Sequence, residues 1–264
     1  MIRFVDSEKI EIDYQKACDF DSVFGSINAF LYKKSLKNNS DFFWTIYSED
    51  DELLGNLSFV NDTFTVCVKN DFCAEELAQF IDFWGNFASI SYNICNVTSL
   101  YEHLSLPCIS ACGKVLSKKC DNQTKDIPIN ICKDINLYSV FCLFKDSFPE
   151  KLENVSFDNF NYDMNSRIRK GQSILYGVVL DGVLASALEI MCTYKENIIL
   201  GCLATDKEQR SKGLASSLLN FVSNDFSNST LFVFAENDTI SRFYKKLGFE
   251  DYAVWAELTP ARKD

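Results

Sequence analysis

The sequence predicts a mixed α/β protein in which one order of strands and helices occurs twice. Three observations carry that expectation. Apolar runs of strand length are separated by turn pairs such as Asn61-Asp62 and Asp181-Gly182. Segments with apolar residues at helical spacing follow the third strand of each half. The elements of the two halves then come in the same order, which is how an internal repeat shows itself.

The second half reads more plainly. Residues 135–147 and 156–170 have helical patterns, with a strand expected ahead of them. SILYGVVLD (173–181) and VLASALEIMC (183–192) read as strands joined by the tight Asp181-Gly182 turn. A turn at Lys195-Glu196-Asn197 leads into a third strand, IILGCLAT (198–205). Beyond the loop that follows, Leu214, Leu218, Phe221 and Val222 fall on one helical face. TLFVFAE (230–236) is a short apolar strand, and 238–247 a helix stopped by Gly248. FEDYAVWAEL (249–258) alternates as a final strand.

The first half follows the same plan. FFWTIYS (42–48), LLGNLSFV (53–60) and FTVCVKN (64–70) predict three strands. A helix follows, with Leu77, Phe80, Ile81 and Trp84 on one face, then a strand SISYNI (89–94) and a helix within NVTSLYEHLSL (96–106). In this alignment Asn96-Val97-Thr98 corresponds to Asn237-Asp238-Thr239, and Leu106 to Leu247. Between its third strand and its helix the first half has only about KNDFCAEE, several residues fewer than the second half and without glycine. The polar stretch 121–127 (DNQTKDI) marks the boundary and predicts domains of 1–124 and 125–264.

Composition narrows the function. Apolar residues make up 47% of the 264, enough to bury a sizeable core. The formal charge of -11 repels phosphate backbones, so nucleic acid is not an expected partner, whereas a cationic amine is easier to accept. Eleven cysteines with no CxxC pair, and one histidine, His103, provide no zinc constellation, so no metal is expected. Charges in MIRFVDSEKI leave no apolar leader core. The longest apolar stretch is interrupted by Asp181. These features predict a cytoplasmic protein with reduced thiols and no membrane association.

The loop QRSKGLA (209–215) is the chemically informative segment. It lies between an apolar strand and an amphipathic helix. A helix N-terminus presents unpartnered N–H groups and partial positive charge, which suits a phosphate. Gly213 lets the backbone approach an anion, Ala215 keeps the next contact small, and Arg210 and Lys212 supply charge. The same residues also suit a plain polar connection whose glycine permits the turn. There is no GxxxxGK[ST] and no GxGxxG.

Taken together, LATDKEQRSKGLASSLL and AENDTISRFYKKLGF resemble the GNAT superfamily of acetyl-CoA-dependent N-acetyltransferases. Arg210-Ser211-Lys212-Gly213-Leu214-Ala215 is similar to that family's [Q/R]xxGx[G/A] loop. Asn237 matches the asparagine after the fifth strand, and FYKKLGF (243–249) the end of the following helix. The resemblance covers roughly 128–258, with its specific motifs within 203–249. It implies a tandem arrangement with a degenerate first copy. Each copy would be a GNAT-like domain, a mostly antiparallel sheet with one splayed strand pair, flanked by helices.

The resemblance also implies a chemistry, transfer of an acetyl group from acetyl-CoA directly to a primary amine of a small molecule or peptide. Main-chain groups of Leu203, Ala204 and Thr205 would hold the pantetheine, and Arg210, Ser211, Lys212, Gly213, Leu214 and Ala215 the pyrophosphate. Asn237 would fix cofactor or helix geometry, and Tyr244 would protonate the leaving thiolate. Some relatives carry a glutamate on the strand before the loop. IILGCLAT has none, so Glu189 and Glu236 are the candidates for a base, each also readable as a solvated strand-edge charge. Cys202 reads as a small buried residue and His103 as a surface or packing residue. A GNAT-like acyl-CoA-binding or regulatory protein with little turnover is the alternative.

Overall fold

The computed structural model describes residues 1–35, 41–70, 72–97, 99–120 and 130–261. Along the chain come β1 (Ile2–Phe4), α1 (Glu8–Ala17), α2 (Phe24–Ser35), β2 (Phe42–Tyr47), β3 (Leu53–Val60), β4 (Thr63–Val68), α3 (Glu75–Trp84), β5 (Ser89–Asn93), α4 (Leu100–His103) and β6 (Cys108–Lys119). They are followed by β7 (Ile131–Cys132), α5 (Leu137–Ser147), α6 (Pro149–Leu152), α7 (Phe157–Arg169), β8 (Ile174–Leu180), β9 (Val183–Tyr194), β10 (Asn197–Thr205), α8 (Leu214–Asp225), β11 (Thr230–Ala235), α9 (Asp238–Lys246) and β12 (Glu250–Pro260). The chain forms two compact units. One comprises Met1–Leu116 with Phe234–Asp264, the other Ser117–Val233.

In the first unit, β1 to β4 are successive antiparallel neighbours, β4 and β5 run parallel, and β12 closes antiparallel on β5. Helix α3 buries Leu77, Ala78 and Ile81 in a core that also holds Trp44, Phe64 and Ile90. Trp84 meets Phe42, Trp44 and Phe59 edge-on, with ring centroids 5.0–5.3 Å apart, in the tilted geometry aromatic pairs prefer. Helix α2 carries polar residues inward. The Asn28 amide donates to Asn56 Oδ1 (2.7 Å) and the Thr65 carbonyl (3.1 Å), and Ser58 donates to Asn28 Oδ1 (2.7 Å). Asn28, Asn56, Ser58 and the Thr65 carbonyl thus bond with one another, which offsets their loss of water. A Cβ on Gly25 would lie 2.0 Å from the Cys18 carbonyl oxygen, so the approach of these two backbones requires glycine.

In the second unit, β7, β8, β9 and β10 are antiparallel neighbours, and β11 runs parallel to the start of β10. Helices α5 and α7 bury Val140, Leu143, Phe144 and Met164 with Leu175, Ala187 and Ala204 of the strands. Helix α8 buries Leu218, Leu219 and Val222 and packs on β8, β9 and β10. Helices α5 and α7 begin on side-chain caps, Asn136 accepting from the Ser139 N–H and Ser156 from the Asn159 N–H.

The expected mixed α/β plan is present in both halves. Every strand predicted between 42 and 94 and between 173 and 258 has a counterpart within a few residues. The helix expected over 96–106 is only the short α4, and Thr98 lies outside the described residues. The segments β1, α1, α2 and β6 were not predicted. The expected boundary at 121–127 also lies outside the described residues. Compactness divides the chain differently from the 1–124 and 125–264 expectation. Residues 234–264 group with the first unit, because β12 pairs Trp255 to Leu258 with Asn93 to Ile90.

Candidate active site

The site is built on β10. Its parallel register with β11 covers Asn197–Ile199 against Thr230–Phe232. From Leu200 onward its ladder is the antiparallel one with β9. There the register shifts. Leu200 faces Ile190 and Leu203 faces Leu188, so Gly201 and Cys202 together oppose the single residue Glu189. Such a bulge bends the strand and re-aims its side chains. A Cβ on Gly201 would stand 3.1 Å from Glu189 Oε2, a tight contact that the carboxylate would have to relieve by a small shift. Further along, Ser186 donates to the Ala204 carbonyl (2.8 Å) and lies 2.8 Å from Thr205 Oγ1, which holds the strand end.

The loop after β10 is held by its own side chains. Asp206 Oδ1 accepts from the Glu208 N–H (2.9 Å), and the Asp206 N–H is bonded to the Ala185 carbonyl (2.9 Å). Arg210 Nε donates to the Thr205 carbonyl (3.2 Å) and Lys212 Nζ to Gln209 Oε1 (2.8 Å). Both cations therefore lie over the loop, exposed, rather than extending away from it. Gly213 is the N-cap of α8, with φ +79°, and a Cβ there would enter open space. No side chain caps this helix and its first turn carries no acid. Its first N–H groups are therefore presented to an incoming anion. Leu214 is buried and Ala215 half-buried.

Glu189 is not a solvated strand-edge charge. It is 6% exposed, paired to Arg167 of α7 (Nη2 to Oε1, 2.7 Å), and accepts from Ser173 Oγ (2.9 Å). Glu189 and the half-buried Cys202 belong to the lining of a cavity of about 410 Å³ between β9, β10 and the α5–α7 segment. Neither this cavity nor the Arg167 contact has a sequence signal, because Arg167 is one of several charges in a polar helix.

The remaining expected residues lie in the first unit. Asn237 is the N-cap of α9 and its Oδ1 accepts from the Ile240 N–H (3.0 Å). Of its two expected roles, this is the one in helix geometry. Tyr244 is buried on α9, with its ring 5.1 Å from Phe243 and 5.2 Å from Phe249, and its carbonyl accepts from the Phe249 N–H. Glu236 is exposed at the end of β11, and His103 is exposed on α4.

The bulged strand β10 leads into a glycine-capped helix without acids in its first turn, and further along the chain a strand–helix pair ends in Leu247-Gly248-Phe249. Residues 145–254 match the family model described as the acetyltransferase (GNAT) domain. This segment is a GNAT acetyltransferase domain. Its class is that of an acyltransferase.

The GNAT fold extends over the whole chain. A GCN5-related N-acetyltransferase from Sphaerobacter thermophilus is similar at 13% identity and TM-score 0.64, covering 100% of this chain and 97% of that one. The tandem GNAT protein from the clavulanic acid biosynthesis pathway is similar at 13% and 0.63, with 100% and 99% covered. A GNAT-family acetyltransferase from Colwellia psychrerythraea gives 13% and 0.60, with 99% and 100% covered. At these identities the likeness is one of fold, and the fold is that of tandem GNAT proteins. No curated protein sequence matches the chain. Among the described residues no helix is long and apolar enough to cross a membrane, and no three His, Cys, Asp or Glu side chains gather to hold a metal ion.

Among the described residues of the first unit, the segment between β4 and α3 has no glycine-capped helix start like that of α8. Helix α3 starts on Ala74, with φ -80°, and its first turn holds Glu75 and Glu76. Two carboxylates at a helix N-terminus occupy the favourable field and repel a second anion.

Proposed function

We propose that the protein transfers the acetyl group of acetyl-CoA to a primary amine, with the cosubstrate held by the second unit. One observation carries this reading: α8 opens on Gly213 in a left-handed conformation, with no side-chain cap and no acid, directly after the bulged β10. The α8 N-terminus and residues 210–215 would take the pyrophosphate. The main chain of Leu203 and Thr205 would take the pantetheine. The Ala204 carbonyl is already bonded to Ser186.

In the transfer, the amine nitrogen forms a bond to the thioester carbonyl carbon. The C–S bond then breaks and its electron pair leaves on sulfur. Tyr244 would protonate that thiolate, and the proton shed by nitrogen would pass to water or to Glu236. Glu189 is committed to Arg167 and Ser173, so we assign it to positioning the β10 bulge rather than to proton abstraction. Its engagement also favours the weaker-turnover alternative, an acyl-CoA-binding protein of this fold. Acetylation measured against a panel of amines separates the two.

Three expectations follow at this site. Calorimetry of the intact chain with acetyl-CoA should give one site per chain, since α3 lacks the glycine cap and carries Glu75 and Glu76. Two equivalent sites would refute the degenerate first copy. Replacing Arg167 with Ala leaves Glu189 buried beside a vacated partner. Denaturant unfolding should show a loss at the lower end of about 3–5 kcal/mol, because Arg167 retains some solvent contact. Glu189→Gln should retain acetyl transfer, whereas loss of a true general base would cost about 10²–10⁴-fold.

A further inference from the structure

The cavity between α5–α7 and the β10 bulge has a composition that speaks to the acceptor. Its walls are Phe144, Phe148, Leu152, Val155, Phe160 and Met164. Cys202 and the Arg167–Glu189 pair also line it, and Cys202 immediately precedes Leu203 on the strand assigned to the pantetheine. Exposed Lys151, Asn159 and Asp163 stand at the mouth. The volume, about 410 Å³, lies within the roughly 300–1,000 Å³ of small-molecule sites.

We infer that the acceptor is a monoamine with an apolar body, aryl or branched alkyl, which enters this cavity amine first. The inference rests on the acyl-transfer reading above and adds the substrate class. Three features argue for it. The lining charges cancel, Lys151 and Arg167 against Asp163 and Glu189, so a polycation finds no surplus of carboxylates despite the acidic chain. The aromatic walls reward burial of apolar surface and leave sugar hydroxyls without partners. The open mouth suits a diffusing acceptor, whereas a longer acyl chain would arrive attached to its thioester. An apolar cavity also disfavours the ammonium form of the entering amine, so less is demanded of a protein base.

Calorimetry on the intact chain tests this without turnover, using phenethylamine, isopentylamine and spermidine. Asn159→Trp and Val155→Trp fill the mouth, the first from an exposed position outside the core. Phenethylamine and isopentylamine should bind more tightly than spermidine, and both variants should weaken them by at least about tenfold while acetyl-CoA binds as before. Tighter spermidine, no heat from either apolar amine, or unchanged binding in both folded variants overturns the inference. So does a loss confined to the use of hexanoyl-CoA, which would make the cavity an acyl pocket. Failure of the transfer reading shows separately, as apolar amine binding with no acetylated product.

Discussion

Tyr244→Phe is expected to slow acetyl transfer by about 10- to 10³-fold, a rise in the barrier of about 1.4–4 kcal/mol. The substitution removes one hydroxyl and keeps the ring that packs between Phe243 and Phe249 on α9. Helix packing should therefore survive, and circular dichroism should superpose on that of the parent. Acetyl-CoA affinity should change far less than rate, because the lost proton donation matters once the thiolate develops. The basic limb of the pH–rate profile should disappear if the phenol sets it. A variant that transfers at the parental rate with its best amine would leave Tyr244 as a packing residue. The proton donor would then be another group.

Gly213→Val is expected to weaken acetyl-CoA binding by at least about tenfold while the unit stays folded, for two separable reasons. With φ at +79°, a β-branched residue is strained by roughly 1–2 kcal/mol or shifts the start of α8. Its side chain would also project into the open space in front of the first helical N–H groups. Gly213→Ala introduces the same backbone conflict with a single methyl, so affinity should fall in the order Gly, Ala, Val. Calorimetry gives the affinities and thermal unfolding the stability. Parental affinity in a folded Val variant would return QRSKGLA to a plain connection between strand and helix.

Much of the second half of the chain was legible from residue order because its signals are local. Asp181-Gly182 adopts positive φ at both positions and turns β8 into β9 as its sequence suggests. Gly213 and Gly248 mark the start of α8 and the end of α9, again with positive φ. The cap at Asn237 needs only the N–H three residues ahead. The first unit's α1 and α2 were illegible for the opposite reason. FGSINAFLYKKS carries Gly25, Ser26 and Asn28, residues of low helix propensity. Those residues are helical because Asn56 and Thr65, distant in sequence, supply hydrogen bonds that a loop would have found in water, while the Cys18 backbone just after α1 closely approaches Gly25.

The candidate site divides along the same line. Sequence alone determined the element order from β8 to β12, the glycine that opens α8 after β10, and the residue types at 210–215, 237 and 244. These depend on backbone conformations and hydrogen bonds within a few residues. Only the tertiary structure decided that β12 joins the first unit's sheet, that Glu189 is buried against Arg167 and Ser173, and that an apolar cavity reaches Cys202. Strand partners, ion pairs and cavities are set by which surfaces meet. That is chosen by burial and by satisfaction of polar groups over the whole fold, and no window of neighbouring residues contains it.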